Sequence, residues 1–211
     1  MKLVVELNKK EKKIVAGIDE VGRGCLAGPL VTAAVVLPKN CQIRNVRDSK
    51  LLTVDQRNKL SIKIKQKALA IGIGWVSPAE IDENGLSQAL ERAASRALDN
   101  LNLTPDYVIL DGRYNYLKKI CEGEALVGAD RHCLPVAAAS IIAKVARDNY
   151  MKNFSHMFPE YGFKANVGYG TKQHLSALGN FGINWLHRRS FAPIRKNQDL
   201  HFSRTERLNV D

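Results

Sequence analysis

The stretch Ile14-Val15-Ala16-Gly17-Ile18-Asp19-Glu20-Val21-Gly22-Arg23-Gly24 carries three signals in succession. Residues 14–19 read as a short apolar strand. Asp19 and Glu20 stand at its close, where α/β proteins place their chemistry. A glycine-rich loop that continues to Gly28-Pro29 follows at once. Glycines let a backbone approach a ligand and turn N–H groups toward anions or hydroxyls, and Arg23 offers a fork for phosphate. The loop has neither the GxxxxGK[ST] nor the GxGxxG spacing of nucleotide-binding loops.

Further along the chain, residues 30–37 predict a second strand, stopped by Pro38. Residues 54–67 predict a helix with Leu60, Ile62 and Ile64 among many lysines. Residues 68–76 alternate as a third strand. Ser77, Pro78 and Glu80 have the spacing of a capped helix start, with a longer helix at about 86–101. Residues 107–111 predict a fourth strand ending in Asp111-Gly112, residues 125–128 a short fifth, and residues 135–152 a buried helix rich in Ala, Ile and Val. From about residue 153 the chain reads as shorter helices and loops with many aromatics. No repeat or Pro/Gly/Ser-rich linker divides it. The order predicts one α/β domain with a mixed sheet and a C-terminal appendage.

Composition narrows the function. The 211 residues, 45% apolar and 25% charged, have the profile of a globular chain able to bury a full core. No apolar run reaches the roughly 18–20 residues of a membrane-spanning helix. The N-terminus breaks into Asn8-Lys9-Lys10-Glu11-Lys12-Lys13 before a signal-peptide core can form. Four cysteines, at 25, 41, 121 and 133, make no zinc spacing and fit a reducing, cytoplasmic setting. The formal net charge is +11, from 32 basic and 21 acidic side chains, which points to a polyanion and to nucleic acid first. Residues 1–67 hold 15 basic and 6 acidic groups, most of that surplus.

Four acids stand out. Asp19, Glu20, Asp111 and Asp130 each lie at the end of an apolar element. Singly, each reads as well as a turn or cap residue. Gathered by a sheet, they would repel one another, and a divalent cation relieves that conflict. All-oxygen ligation favours Mg²⁺ or Mn²⁺, and a pair of such ions can drive in-line phosphodiester hydrolysis.

Seven blocks stand out: Gly17-Ile18-Asp19-Glu20-Val21-Gly22-Arg23-Gly24 with Ala27-Gly28-Pro29; Asp48-Ser49-Lys50-Leu51-Leu52-Thr53; Leu110-Asp111-Gly112; the run from Ala138 to Asp148; Pro159-Glu160-Tyr161-Gly162-Phe163; Gly168-Tyr169-Gly170-Thr171 with His174; and His187-Arg188-Arg189-Ser190-Phe191. Together these blocks resemble the bacterial ribonuclease HII (type 2 ribonuclease H) family. They run in family order from about 17 to 193. The resemblance implies a ribonuclease H-like fold: a mixed five-stranded sheet flanked by helices, with a C-terminal helical extension. It implies a single domain with an α/β core over about 14–152, an extension over about 153–193 that completes the substrate cleft, and a tail at 194–211.

The resemblance further implies a monomeric, Mn²⁺- or Mg²⁺-dependent endonuclease that hydrolyses the RNA strand of RNA–DNA hybrids. It would cut 5′ to single ribonucleotides in duplex DNA, leave 3′-hydroxyl and 5′-phosphate ends, and serve ribonucleotide removal. Asp19, Glu20, Asp111 and Asp130 match the family's metal-binding acids. Gly22, Arg23 and Gly24 match its backbone loop for the ribonucleotide, and Tyr169 its ribose-stacking tyrosine. The 2′-hydroxyl, both donor and acceptor, is the feature such groups can test.

Ser140, Lys144 and Arg147, at i, i+4 and i+7 on the predicted 135–152 helix, read as a polar, cationic stripe for phosphates. A solvated helix face is the alternative. Lys50 is another phosphate candidate, with His174 and Arg188 weaker ones. The family pattern usually has His-Lys where this chain has Asn166-Val167, Lys-Gly where it has Gly128-Ala129, and Asn where it has Arg113. Gln198-Asp199-Leu200-His201-Phe202 partly resembles a sliding-clamp-binding peptide. Two other functions stay open at this point: another ribonuclease H-like nuclease or strand-transfer enzyme, and a non-catalytic hybrid-binding module.

Overall fold

The computed structural model describes residues 14–46 and 52–196. Lys50, with Asp48 and Ser49, lies outside the described residues, as does the clamp-like segment Gln198–Phe202. Strands β1 (Val15–Val21), β2 (Leu30–Val36), β3 (Ala70–Val76), β4 (Tyr107–Asp111) and β5 (Gly123–Leu126) form one sheet in the order β3-β2-β1-β4-β5. The helices are α1 (Val54–Lys67), α2 (Pro78–Asp99), α3 (Leu134–Phe154), α4 (Phe163–Asn166) and α5 (Lys172–Phe181). Strand β1 is antiparallel to β2 and parallel to β4, and β4 is parallel to β5, so the sheet is mixed as expected. Among the described residues no helix is long and apolar enough to cross a membrane.

The chain divides into two compact units. Unit 1 gathers Met1–Val21, Val31–Trp75 and Leu90–Ala146; unit 2 gathers Gly22–Leu30, Val76–Ala89 and Arg147–Asp211. In unit 1 the alternation of strand side chains divides the core between the two sheet faces. Ala33 and Val35 of β2 pack with Ile64 of α1 and Ile141 and Ile142 of α3. Ala34 and Val36 turn the other way, to Ala94 and Ala97 of α2 and Leu110 of β4. A strand buried on both faces needs an uninterrupted apolar run, which residues 30–36 supply except at Thr32. Unit 2 has its own core, with Leu26, Met151, Tyr161, Phe163, Leu178, Leu186 and Ile194.

Local signals set most boundaries. Thr53 and Gln56 form a capping box: the Thr53 hydroxyl accepts from the Gln56 N–H at 3.2 Å, and the Thr53 N–H donates to Gln56 Oε1 at 2.9 Å. Ser77 and Glu80 repeat the device at the start of α2, with the Ser77 N–H donating to Glu80 Oε2 at 2.9 Å. The two helical pieces expected there meet at Gly85, whose φ of 76° breaks the helical path. The fifth strand lies two residues earlier than the expected 125–128. Gly128 is left-handed (φ 73°), so it ends the extended segment and opens a 3₁₀ turn at Ala129–Arg131.

Gly17 sets how closely α3 approaches β1. A Cβ there would lie 2.2 Å from both Pro135 C and Val136 N, which are backbone atoms that cannot yield as a side-chain tip can. Gly17→Ala is therefore expected to cost about 3 kcal/mol, the upper range for overpacking. Urea unfolding measures this, and an unchanged midpoint would contradict the close approach.

Candidate active site

In unit 1 the parallel register of β1 and β4 brings two of the four acids to one place. Ile18 pairs with Leu110, so Asp19 and Asp111 come next along adjacent strands. Ile18 and Leu110 share the α2 face, which turns Asp19 and Asp111 to the opposite face, that of α3. There the Ser140 hydroxyl of α3 hydrogen-bonds Asp19, and the Asp19 carboxylate accepts from the Glu20 N–H at 2.8 Å. Asp111 Oδ1 accepts from the Ala129 N–H at 2.9 Å, which ties the 3₁₀ turn carrying the buried Asp130 to the end of β4.

Glu20 alternates to the other face, opposite Thr32 of β2, but still acts on Asp19 electrostatically. Thr32 is buried and its hydroxyl has no hydrogen-bond partner among the described residues. Sequence reasoning passed over this residue, although a hydroxyl inside the otherwise apolar run 30–36 is a visible signal.

Burial holds the Asp19 carboxyl well above its ordinary value; Glu20 and Asp111 push it further up, against the Ser140 and Glu20 N–H hydrogen bonds. Among the described residues no three His, Cys, Asp or Glu side chains converge as a ready-made metal cage. The donor set is nonetheless all carboxylate oxygen, and the ionised form of buried Asp19 calls for a positive charge beside it. Both observations fit a hard divalent cation.

Unit 2 contains the glycine-rich loop. Gly22 has φ 90°, and a Cβ there would lie 2.3 Å from Arg147 Nε. Arg23 and Gly24 are exposed, and a Cβ on Gly24 would meet nothing within 4 Å among the described residues. Behind them the loop is bound from within. The Leu26 and Ala27 N–H groups both donate to Gly168 O (2.9 and 3.2 Å), and Gly28 N–H donates to Leu186 O at 2.7 Å. Arg147 donates to Pro29 O (2.9 Å), Ala27 O (2.9 Å) and Val167 O (2.8 Å); Arg188 donates to Gly28 O and Arg23 O (both 3.0 Å).

These placements correct part of the expected cationic stripe. Arg147 is fully buried and its guanidinium is taken up by three backbone carbonyls, so it braces the loop and does not face phosphate. Arg188 and His174, the weaker phosphate candidates, are likewise fully buried. Ser140 is buried beside Asp19, and Lys144 is half-buried. The spacing correctly put these groups on one helix but could not show that the backbone at residues 27, 29 and 167 takes up the Arg147 guanidinium.

Tyr169 is fixed on several sides. Its N–H donates to Asn166 O at 2.9 Å, its carbonyl accepts from His174 Nδ1 at 2.9 Å, and the Arg147 guanidinium lies 5.9 Å from its ring centroid. Burial, with the Cys25 thiol hydrogen-bonded to it, pushes its phenol up to about 12, so it is an intact hydroxyl at neutral pH. Tyr169 nevertheless stays 40% exposed. Asn166 braces the turn, accepting from the Gly168 N–H at 2.8 Å and donating to Tyr161 O at 2.6 Å. Val167 between them is left-handed (φ 43°), a costly conformation for a β-branched residue. The sequence flagged Tyr169 but not Asn166, Cys25 or His187 as its setting.

Two outcomes follow from the electrostatics. A raised carboxyl value means that Asp19 costs stability above the ordinary carboxyl range, a cost that shrinks as pH falls through the folded value and is gone once pH is below the unfolded one. Without divalent cations, Asp19→Asn should therefore raise the thermal midpoint at pH 7.5, and Mg²⁺ or Mn²⁺ should stabilise this variant less than the native protein. A lower cation-free midpoint would contradict the assignment. In unit 2, burial and the neighbouring His174 lower His187 to about 4. Its imidazole resonances should keep their neutral shifts down to about that pH, and a midpoint near 6.5 would show the ring to be solvated.

Comparison with known proteins agrees with this reading. The profile of the family described as Ribonuclease HII matches residues 16–194. The chain is 46% identical over 187 residues to a Ribonuclease HII of Enterococcus faecalis, covering 89% of this chain and 72% of that protein. It is 49% identical over 179 residues to a Ribonuclease HII of Thermosynechococcus vestitus, covering 84% and 83%. Its fold is similar to the crystal structure of ribonuclease H2 from Pyrococcus horikoshii, with a TM-score of 0.77 and 29% identity over 88% of this chain and 97% of that one. The strand-end carboxylates, the glycine-rich loop and the matched length together place the chain in the ribonuclease HII family, as a ribonuclease H endonuclease acting on RNA–DNA hybrids.

Proposed function

We propose that this ribonuclease HII also cuts 5′ to single ribonucleotides embedded in duplex DNA, leaving 3′-hydroxyl and 5′-phosphate ends, and serves ribonucleotide removal during replication and repair in the cytoplasm. The observation that carries the reading is Tyr169: a neutral phenol ring, anchored through both backbone groups and its hydroxyl, with its surface still open. A ring so held can pack against one ribose without help from neighbouring nucleotides. The exposed Arg23-Gly24 segment, braced from behind by Arg188, supplies backbone groups able to test for a 2′-hydroxyl.

Asp19, Glu20, Asp111 and Asp130 are the residues that would hold divalent cations, Mg²⁺ or Mn²⁺. When bound, such ions activate water and stabilise the leaving oxygen of an in-line displacement. The chain's own contribution is to hold charge in place. Ser140 and the Glu20 N–H orient the Asp19 carboxylate, and the Ala129 N–H orients Asp111. Lys144, and Lys50 outside the described residues, would contribute phosphate contacts that position the duplex without reading its sequence.

The test is a cleavage assay with Mg²⁺ or Mn²⁺ on a labelled DNA duplex holding one ribonucleotide, with the cut position mapped. Cleavage is expected on the 5′ side of the ribonucleotide; cutting an all-DNA duplex at a similar rate would overturn the reading. Asp19→Asn and Asp130→Asn should abolish cleavage while duplex binding survives. A purely hybrid-binding module would have no cleavage to lose. Tyr169→Ala should lower activity on this substrate by about 10-fold or more without unfolding the protein.

A further inference from the structure

Unit 2 buries two histidines that neither the metal site nor the phosphate contacts use. His174 is 0% exposed and His187 2%. Their rings are joined Nε2 to Nε2 at 3.1 Å. Tyr161 and Phe163 pack around them, with centroids 4.8 Å from His187 and 5.4 Å from His174 respectively. We propose that this pair is a positioning device for Tyr169, one fixed set of neutral tautomers that holds the Tyr169 carbonyl and thereby the ring. The proposal rests on the reading of Tyr169 as the ribose-contacting residue.

The tautomers follow from the partners. Tyr169 O can only accept, so His174 Nδ1, 2.9 Å away, carries its hydrogen and His174 Nε2 is bare. The Asn184 N–H can only donate, so His187 Nδ1, 3.0 Å away, is bare and His187 Nε2 carries its hydrogen. His187 Nε2–H then donates to His174 Nε2. All four ring nitrogens are satisfied, and each ring is neutral. The other neutral tautomer of either ring would set two donors or two acceptors face to face. A chain of buried hydrogen bonds with one consistent direction fixes geometry more firmly than separate contacts do.

Both ends of the chain are anchored. The His174 N–H donates to Thr171 Oγ1, the N-cap of α5, at 3.3 Å. At the other end, Asn184 Oδ1 accepts from the Leu186 N–H at 2.9 Å and the His187 N–H donates to Asn184 O at 3.1 Å. His187 also makes an antiparallel bridge with Ala27 of the glycine-rich loop. One imidazole pair thus links the 184–187 turn to the carbonyl of Tyr169, while the backbone of the same turn holds the loop bearing Arg23 and Gly24.

The direct check is ¹⁵N–¹H correlation of the imidazoles in the intact protein at pH 7.5. The expected result is Nδ1–H for His174 and Nε2–H for His187. An Nε2–H tautomer at His174, or a charged ring at either residue, overturns the proposal. The functional check is a double-mutant cycle on the single-ribonucleotide duplex. His174→Phe keeps ring volume but removes both hydrogen bonds. It should lower kcat/KM by about 10-fold or more, and by less on a continuous RNA–DNA hybrid. His174→Asn, which retains a donor near the Nδ1 position, should recover part of the loss. With Tyr169→Ala already present, His174→Phe should add no more than about twofold. Fully multiplicative losses would mean that His174 does not act through Tyr169 and would overturn the proposal. If Tyr169→Ala alone has no effect, the ribose reading fails instead, whatever the tautomers.

Discussion

The parallel pairing of Ile18 with Leu110 is the constraint on which unit 1 depends. It sets Asp19 beside Asp111, and the close approach permitted by Gly17 then brings Ser140 of α3 to the Asp19 carboxylate. A buried carboxylate with acidic neighbours is unfavourable unless it takes up a proton or a cation joins it. The sheet is built around a position it cannot make comfortable alone, which suits the divalent cation proposed to join it there. Glu20, on the opposite sheet face but next in sequence, adds to the charge while standing outside the pair that shares a surface.

Unit 2 solves a different problem. An exposed loop proposed to contact a sugar has to be rigid, yet its backbone carbonyls need donors. Arg147 and Arg188 supply those donors from the interior, five hydrogen bonds between them, with four of the acceptors in the segment from Arg23 to Pro29. The fifth, Val167 O, belongs to the turn before Tyr169, so one guanidinium braces both elements. The unusual backbone at Val167 fits this picture, since strain is tolerable where surrounding bonds over-determine a turn.

Much of this was legible in the sequence. The strands, the capped helix start at Ser77 and the buried 135–152 helix follow from periodicity and cap chemistry. The acids were visible because each closes an apolar run. Arg147 was not legible. Helical spacing placed it in line with Ser140 and Lys144, but whether a cation on a helix faces solvent or a neighbouring backbone is settled by packing from segments far away in sequence, here residues 27–29 and 167. His174 and His187 are 13 residues apart and nothing local pairs them; only the fold of the C-terminal region joins their rings. The fifth strand was displaced because the apolar residues at 125–127 outweighed the left-handed requirement of Gly128.

The two interior guanidiniums alter the meaning of the chain's most conspicuous number. A surplus of eleven positive charges reads as an invitation to a polyanion. Arg147 and Arg188 belong to that surplus, yet they are keystones: their charge is spent holding carbonyls in place and touches no solvent. The surface that meets a nucleic acid is correspondingly less basic than the composition suggests. Tallies of Lys and Arg in chains of this kind therefore measure masonry as well as adhesion, and only the part displayed outside should set how steeply binding weakens with salt.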